Sequence, residues 1–242
     1  MYTQKEESIE SLVNTYSAIA KQDMPKSNII EFEIRMDQSK IGKVEYNNIF
    51  KALYQHGFTI DTTEYLLKIQ PNISGVSSDY RIVMDNLATI QGYCQSNVLP
   101  DIPQVTHLLK RSLLQDKHKK SIRSIKNSGF GFRSSIQQEI ELTDKNDTVR
   151  SVMKQWSTCL KTFRYLHRTS LTCPDFPNIR IDMSEVRMNT KRHERTSFKE
   201  SNVLTSPISY EVEIEVVPGK VDIPPKEVPF RQGDKVYYLN DP

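Results

Sequence analysis

Five glutamates recur at every second position in two short stretches of this 242-residue chain, Glu31 and Glu33 in "IIEFEIRMD" and Glu211, Glu213 and Glu215 in "ISYEVEIEVV". Ile30, Phe32 and Ile34 alternate with the first set, and Val212, Ile214 and Val216 with the second. Period two is the signature of an extended strand, so each set forms a column about 7 Å from acid to acid. An antiparallel strand with its acids in water gives this pattern, because exposed like charges repel weakly. The chemical alternative needs cations, either a hard metal bound by carboxylate oxygens or a wall of Arg and Lys. Nearly every other candidate strand carries such a base on its polar parity: Arg81, Arg123 or Lys126, Arg133, Arg164 and Arg168, and Arg180.

Strands closed into a barrel with polar faces inward would set the acids of the two chain ends side by side against a ring of cations. That interior suits a metal bound to a polyphosphate. Mg²⁺ or Mn²⁺ takes its oxygens from carboxylates, water and phosphate, and Arg and Lys neutralise the remaining phosphate charge. In-line attack of water on a terminal phosphoryl group needs positioning and charge stabilisation more than covalent help. A carboxylate such as Glu139 or Glu141 would orient or deprotonate that water. Strand parity treats these two alike, as it does Glu211, Glu213 and Glu215.

The elements that would carry these residues can be traced in order. Residues 5–21 place Ile9, Leu12, Val13 and Tyr16 at helical spacing, and a second helix is predicted over 44–56, ended by Gly57. "SDYRIVMD" reads as a strand, "NLATIQGYCQ" as a short helix and "LPDIPQV" as a loop. The basic run "KHKKSIRSIK" leads into a strand ending in "SSIQQEIEL", and a helical stretch with Val149, Val152, Met153 and Trp156 follows. "CLKTFRYLHRTSLT" and "NIRIDMSEVRM" pair as a hairpin across "CPDFPN". Residues 189–206 are polar and aperiodic, which predicts a mobile loop or flap.

Composition narrows the function classes. Only 8 glycines are present and no phosphate-binding glycine motif occurs. A formal charge of +3 with 26% charged residues does not announce duplex nucleic acid, so recognition must be local. Cys94, Cys159 and Cys173 are far apart and odd in number, as reduced intracellular thiols are. Cys159 and Arg164 are too close for a cysteine-phosphatase loop, and the five histidines show no metal spacing. No signal peptide or apolar membrane span is evident.

The two acid motifs at opposite ends of the chain, with the Arg- and Lys-bearing strands between them, resemble the tunnel-type metal-dependent RNA triphosphatases. The similarity runs from about Ile29 to Val217 and is nearest to the N-terminal domain of capping enzymes from giant, mimivirus-like DNA viruses. It implies an α+β fold, a closed antiparallel β-barrel or triphosphate tunnel with flanking helices, over residues 1–218. It also implies that Glu31, Glu33, Glu211, Glu213 and Glu215 hold Mg²⁺ or Mn²⁺, that Arg81, Lys126, Arg164 and Arg168 hold the triphosphate, and that Glu139 or Glu141 assists the water. Asp182 would support a basic neighbour. Where relatives often carry a Lys two residues before the strand's Arg, this chain has Leu166.

The implied reaction removes the γ-phosphate of triphosphate-ended RNA, the first step of mRNA capping, with NTP as a side substrate. It would take place in a cytoplasmic viral factory or a virion. The proline-rich residues 219–242 read as a linker toward a guanylyltransferase domain fused in cis, since this chain has no Lys-x-Asp-Gly motif. The same constellation would serve inorganic polyphosphate, thiamine triphosphate or NTP, and an inert barrel binding RNA or a protein partner is the rival outside enzymology.

Overall fold

Period-two alternation needs a partner for each face, and the computed structural model shows what each face meets. It describes residues 9–20, 28–100, 102–115, 121–127, 131–216, 229–232 and 235–238. The strands are β1 (Asn28–Met36), β2 (Thr59–Asn72), β3 (Tyr80–Met84), β4 (Val105–Ser112), β5 (Ile125–Asn127), β6 (Phe132–Leu142), β7 (Leu160–Thr172), β8 (Ile179–Met188) and β9 (Ser209–Val216). They run in the order β1-β9-β8-β7-β2-β3-β4-β6, and β6 pairs back onto β1. Every pairing is antiparallel, so eight strands close a barrel without an open edge. The short β5 continues the β4 edge of β6.

Helices α1 (Ile9–Ala20), α2 (Lys43–Gln55), α3 (Leu87–Ser96), α4 (Asp147–Gln155) and α5 (Phe198–Ser201) lie against the outside. Leu12 and Tyr16 of α1 pack on Ile30, Phe32 and Ile136. The face of α2 bearing Tyr46, Ile49, Phe50 and Leu53 covers Leu171, Ile181, Met183 and Val212. Ile90 and Tyr93 of α3 and Val149 and Val152 of α4 cover Leu67, Ile69, Ile82, Met84 and Phe163. The hydrophobic core therefore sits between barrel wall and helices, and this burial turns the polar parity of each strand inward. Side-chain caps start three of these helices: Thr89 N donates to Asn86 Oδ1 at 3.1 Å, Thr148 N to Asn146 Oδ1 at 2.9 Å and Glu200 N to Ser197 Oγ at 3.3 Å.

Two barrel strands lie where no element was predicted, β2 and β4. The expected flap at 189–206 is instead anchored. Phe198 and Val203 are buried in the core, and the buried Lys161 donates from Nζ to the carbonyls of Thr196 at 2.7 Å and Cys159 at 3.0 Å. Residues 116–120, at the start of the basic run, and 217–228, at the proposed domain boundary, lie outside the described residues. From the tail, β10 (Pro229–Gln232) and β11 (Lys235–Tyr238) form a hairpin. Among the described residues no helix is long and apolar enough to cross a membrane.

Candidate active site

The inward parity of neighbouring strands builds two chemically opposite walls. β6, β1 and β9 present Glu139, Glu31, Glu33, Glu213 and Glu215, with Arg35 beyond Glu33. β7, β2, β3 and β4 present Arg164, Arg168, Lys68, Arg81 and Lys110. The walls enclose a central cavity of about 450 Å³. Pairing register sets Glu33 opposite Glu215 and Arg35 opposite Glu213, with Asp182 of β8 on the other side of Glu213.

Ion pairs lace the acid wall. Arg35 Nη2 lies 2.8 Å from Glu33 and also contacts Glu213. Lys110 Nζ meets Glu31 at 2.5 Å and Glu139 at 3.1 Å. Arg168 reaches Asp182 at 3.0 Å and Glu213 at 3.5 Å, while Arg180 reaches Glu215 at 2.5 Å. Arg164 grips both oxygens of Glu211 in a parallel fork, Nη1 donating to Oε1 at 2.9 Å. Ser170 Oγ donates to Asp182 at 2.7 Å.

On the basic wall the compensation is incomplete. Among the described residues Lys68 and Arg81 make no ion pair. Burial, then Arg168, Arg81 and Arg164, push the Lys68 ammonium down to about 7. Burial also lowers Arg81, with Glu139 and Glu31 opposing it. The acid wall shows the mirror image. Burial pushes Glu215 up to about 7 against the pull of Arg180, and Glu31 and Asp182 add to the rise. Burial raises Glu33, and Glu213 raises it further. Glu213 differs because Arg35 and Arg168 overcome its burial and hold it down at about 2. Burial opposes ionisation of Glu139 too, but Lys110 wins and lowers it.

Of the residues predicted from sequence, Glu31, Glu33, Glu213, Glu215, Glu139, Arg81, Arg164 and Arg168 line the central cavity. Asp182 and Glu211 lie just behind that surface, each 1% exposed, holding Arg168 and Arg164. Glu141 is exposed at the end of β6 and Lys126 is exposed on β5; neither lines the central cavity. Lys126 instead lines a second cavity with Lys40 and Arg133. Five cavity bases were not among the predicted ligands: Arg35, Lys68, Lys110, Arg123 and Arg180. Arg35 was within reach, since it follows Glu33 by two residues on one parity. Lys68 and Lys110 needed β2 and β4 to be recognised.

The donor types fit a hard divalent cation: carboxylates on adjacent strands, with Glu33 and Glu215 driven toward protonation by burial and by neighbouring acids. Among the described residues no three acidic side chains converge as metal ligands do. Arg35 and Lys110 lie between them, holding Glu33, Glu213, Glu31 and Glu139 apart in pairs.

No protein-family model and no curated protein sequence matches this chain. Solved structures do. The RNA triphosphatase domain of a trifunctional mimivirus mRNA capping enzyme superposes with TM-score 0.59 at 16% identity, over 90% of this chain and 92% of that one. A triclinic form of the mimivirus capping enzyme triphosphatase gives TM-score 0.58 at 17% identity, covering 88% and 89% of the two chains. A monoclinic form gives 0.57 at 18% identity, covering 92% of each. The chain has the closed-barrel fold of the mimivirus capping-enzyme triphosphatase domain.

Proposed function

We propose that this chain is a metal-dependent RNA 5′-triphosphatase, which hydrolyses the γ-phosphate from triphosphate-ended RNA and leaves a diphosphate end for guanylyl transfer. The observation that carries the reading is the pair of half-buried cations without an ion pair among the described residues, Lys68 and Arg81, facing an acid wall that is itself under-neutralised. Each wall carries unrelieved like charge that a bound polyanion and its cation would remove together. The fold shared with the mimivirus domain supports the same reading.

Within that proposal Lys68, Arg81 and Arg168 bind the phosphate oxygens, Arg with a planar fork and Lys as a point charge. Arg164, fixed by Glu211, and Arg168, fixed by Asp182, enter the cavity already oriented, so little side-chain freedom is lost on binding. Glu31, Glu33, Glu213 and Glu215 would hold Mg²⁺ or Mn²⁺, which when bound polarises the γ-phosphoryl oxygens and neutralises charge at the leaving oxygen. Arg35, released from those carboxylates, would turn to the phosphate, while Lys110, released from Glu31, would keep its contact with Glu139. Glu139 is held ionised by Lys110 and therefore suits a base that orients and deprotonates the attacking water.

These walls recognise a triphosphate and not a base, so a free nucleotide or tripolyphosphate is the second reading. Release of γ-phosphate from triphosphate-ended RNA, with and without Mg²⁺ or Mn²⁺, tests the proposal. Metal-dependent release with RNA preferred over tripolyphosphate supports it. Absence of release with either metal overturns it, and faster turnover of tripolyphosphate transfers the assignment to the second reading.

A further inference from the structure

Where β1 ends, a second cavity of about 480 Å³ opens, lined by Lys40, Lys126 and Arg133 together with Asp37, Ser39 and Gly131. It adjoins the central one: Glu31, Glu33 and Arg35 of β1 line the first cavity, and Met36 and Asp37 the second. Register sets Arg35 directly opposite Arg133, and Arg133 directly opposite Lys126, so three bases stand in a row across three neighbouring strands. Like charges in directly opposed positions destabilise a sheet. Glu33 and Glu213 relieve Arg35. Among the described residues the side chains of Lys40, Lys126 and Arg133 make no ion pair or hydrogen bond. The nearby Asp37 carboxylate accepts from Ser39 N at 3.0 Å and Ser39 Oγ at 2.8 Å, and these bonds, with the more distant charges of Lys40 and Lys126, lower its pKa without an ion-pair contact to either lysine.

The backbone holds this cluster in place. Asp37 N donates to Gly131 O at 2.8 Å, tying the end of β1 to the start of β6. Gly131 has φ +68, and Lys40 Nζ lies 3.0 Å from where its Cβ would stand, so glycine lets the lysine lie over the turn. Toward the opposite end, Glu64 stands directly opposite Arg168 and Glu141 opposite Leu108.

We propose that Lys40, Lys126 and Arg133 form a cradle for the phosphodiester backbone that follows the triphosphate, so that the RNA strand leaves through the basic mouth. This inference rests on the triphosphatase reading of the central cavity. A free nucleotide has no phosphodiester to place there, so the cradle would supply the RNA preference that the central walls lack.

The test is the triple variant Lys40→Ser, Lys126→Ser, Arg133→Ser, with Lys43→Ser, Lys51→Ser on the outside of α2 as a control for general charge loss. For a triphosphate-ended decamer KM should rise about tenfold or more with kcat retained, while tripolyphosphate kinetics stay unchanged. Independently of turnover, a 5′-hydroxyl decamer followed by fluorescence anisotropy should lose affinity, and its log–log salt slope should fall by about 2, near 0.7 for each phosphate no longer neutralised. Equal losses for RNA and tripolyphosphate, or RNA binding that the variant leaves intact, overturn the cradle. Should the triple variant melt early, Lys126→Ser alone, at an exposed position, must still raise the RNA KM selectively. Turnover of RNA without any sensitivity to these bases removes the cradle and keeps the triphosphatase; sensitive RNA binding without turnover does the reverse.

Discussion

Replacing Lys68 by Met should make the protein more stable and a poorer ligand for triphosphate. Lys68 titrates at about 7 in the fold against an ordinary 10.5. Each unit is worth ~1.4 kcal/mol, so keeping the ammonium charged costs the folded state on the order of 4 kcal/mol at pH 7. Because the unfolded chain binds a proton that the folded one tends to release, stability contributed by this group rises with pH between about 7 and 10.5. From pH 7 to pH 9 the wild type should gain ~2 kcal/mol from Lys68, or roughly 5 °C in Tm for a domain of this size. Met, unbranched and of similar length, fills the same space without the charge. Thermal melts at both pH values should show the variant more stable at pH 7 and without this part of the rise. Bound tripolyphosphate would restore a full charge on the wild-type lysine, so calorimetry in buffers of different ionisation enthalpy should detect proton uptake at pH 8. The variant forgoes a charge-assisted hydrogen bond of ~1.5–3 kcal/mol, weakening tripolyphosphate binding about 10- to 150-fold. A variant that melts lower at pH 7, or binds tripolyphosphate as the wild type does, would refute the account of Lys68 as a buried cation held ready for an anion.

Other perturbations separate the roles of the acids. Glu213→Gln leaves Arg35 and Arg168 each without one buried counter-charge, so urea melts should show a loss of about 3–5 kcal/mol, together with loss of phosphate release. Glu139→Gln should lower kcat about 10²- to 10⁴-fold with KM little changed, whereas Glu141→Gln, at an exposed position, should leave both as they are; steady-state phosphate release distinguishes them. Mn²⁺ should raise Tm in the wild type by relieving the repulsion that raises Glu33 and Glu215, and this rise should be absent in Glu33→Gln. Gly131→Ala, at φ +68, should cost about 1 kcal/mol or more, read as a lower urea midpoint.

The acid-bearing strands were legible because their alternation is unbroken: Glu31 to Arg35 and Glu211 to Glu215 never place two apolar residues together. β2 and β4 were not, and the reason is physical. Leu66 precedes Leu67, and Leu108 precedes Leu109, because one residue of each pair faces outward to the core and the other faces the cavity. Leu66 packs inside with Leu166, Val186 and Val83. The leucine at 166, which departs from the family pattern, is therefore part of an apolar strip within an otherwise charged tunnel. That strip, and Leu108 on β4, hid the period-two signal that would have revealed Lys68 and Lys110, and the strip also lowers the local dielectric around Lys68. Parity was equally unable to divide Glu211, Glu213 and Glu215, since it records the face a residue takes and not its height in the barrel. Glu215 is aligned with Glu33 and Glu213 with Arg35, while Glu211 lies past the β1 pairing and meets Arg164 instead. One column of three acids is therefore divided. Glu213 and Glu215 face the cavity, where in the proposed reaction a metal would neutralise them, and Glu211 is sealed by the Arg164 guanidinium, which under the same proposal it would hold in place for phosphate.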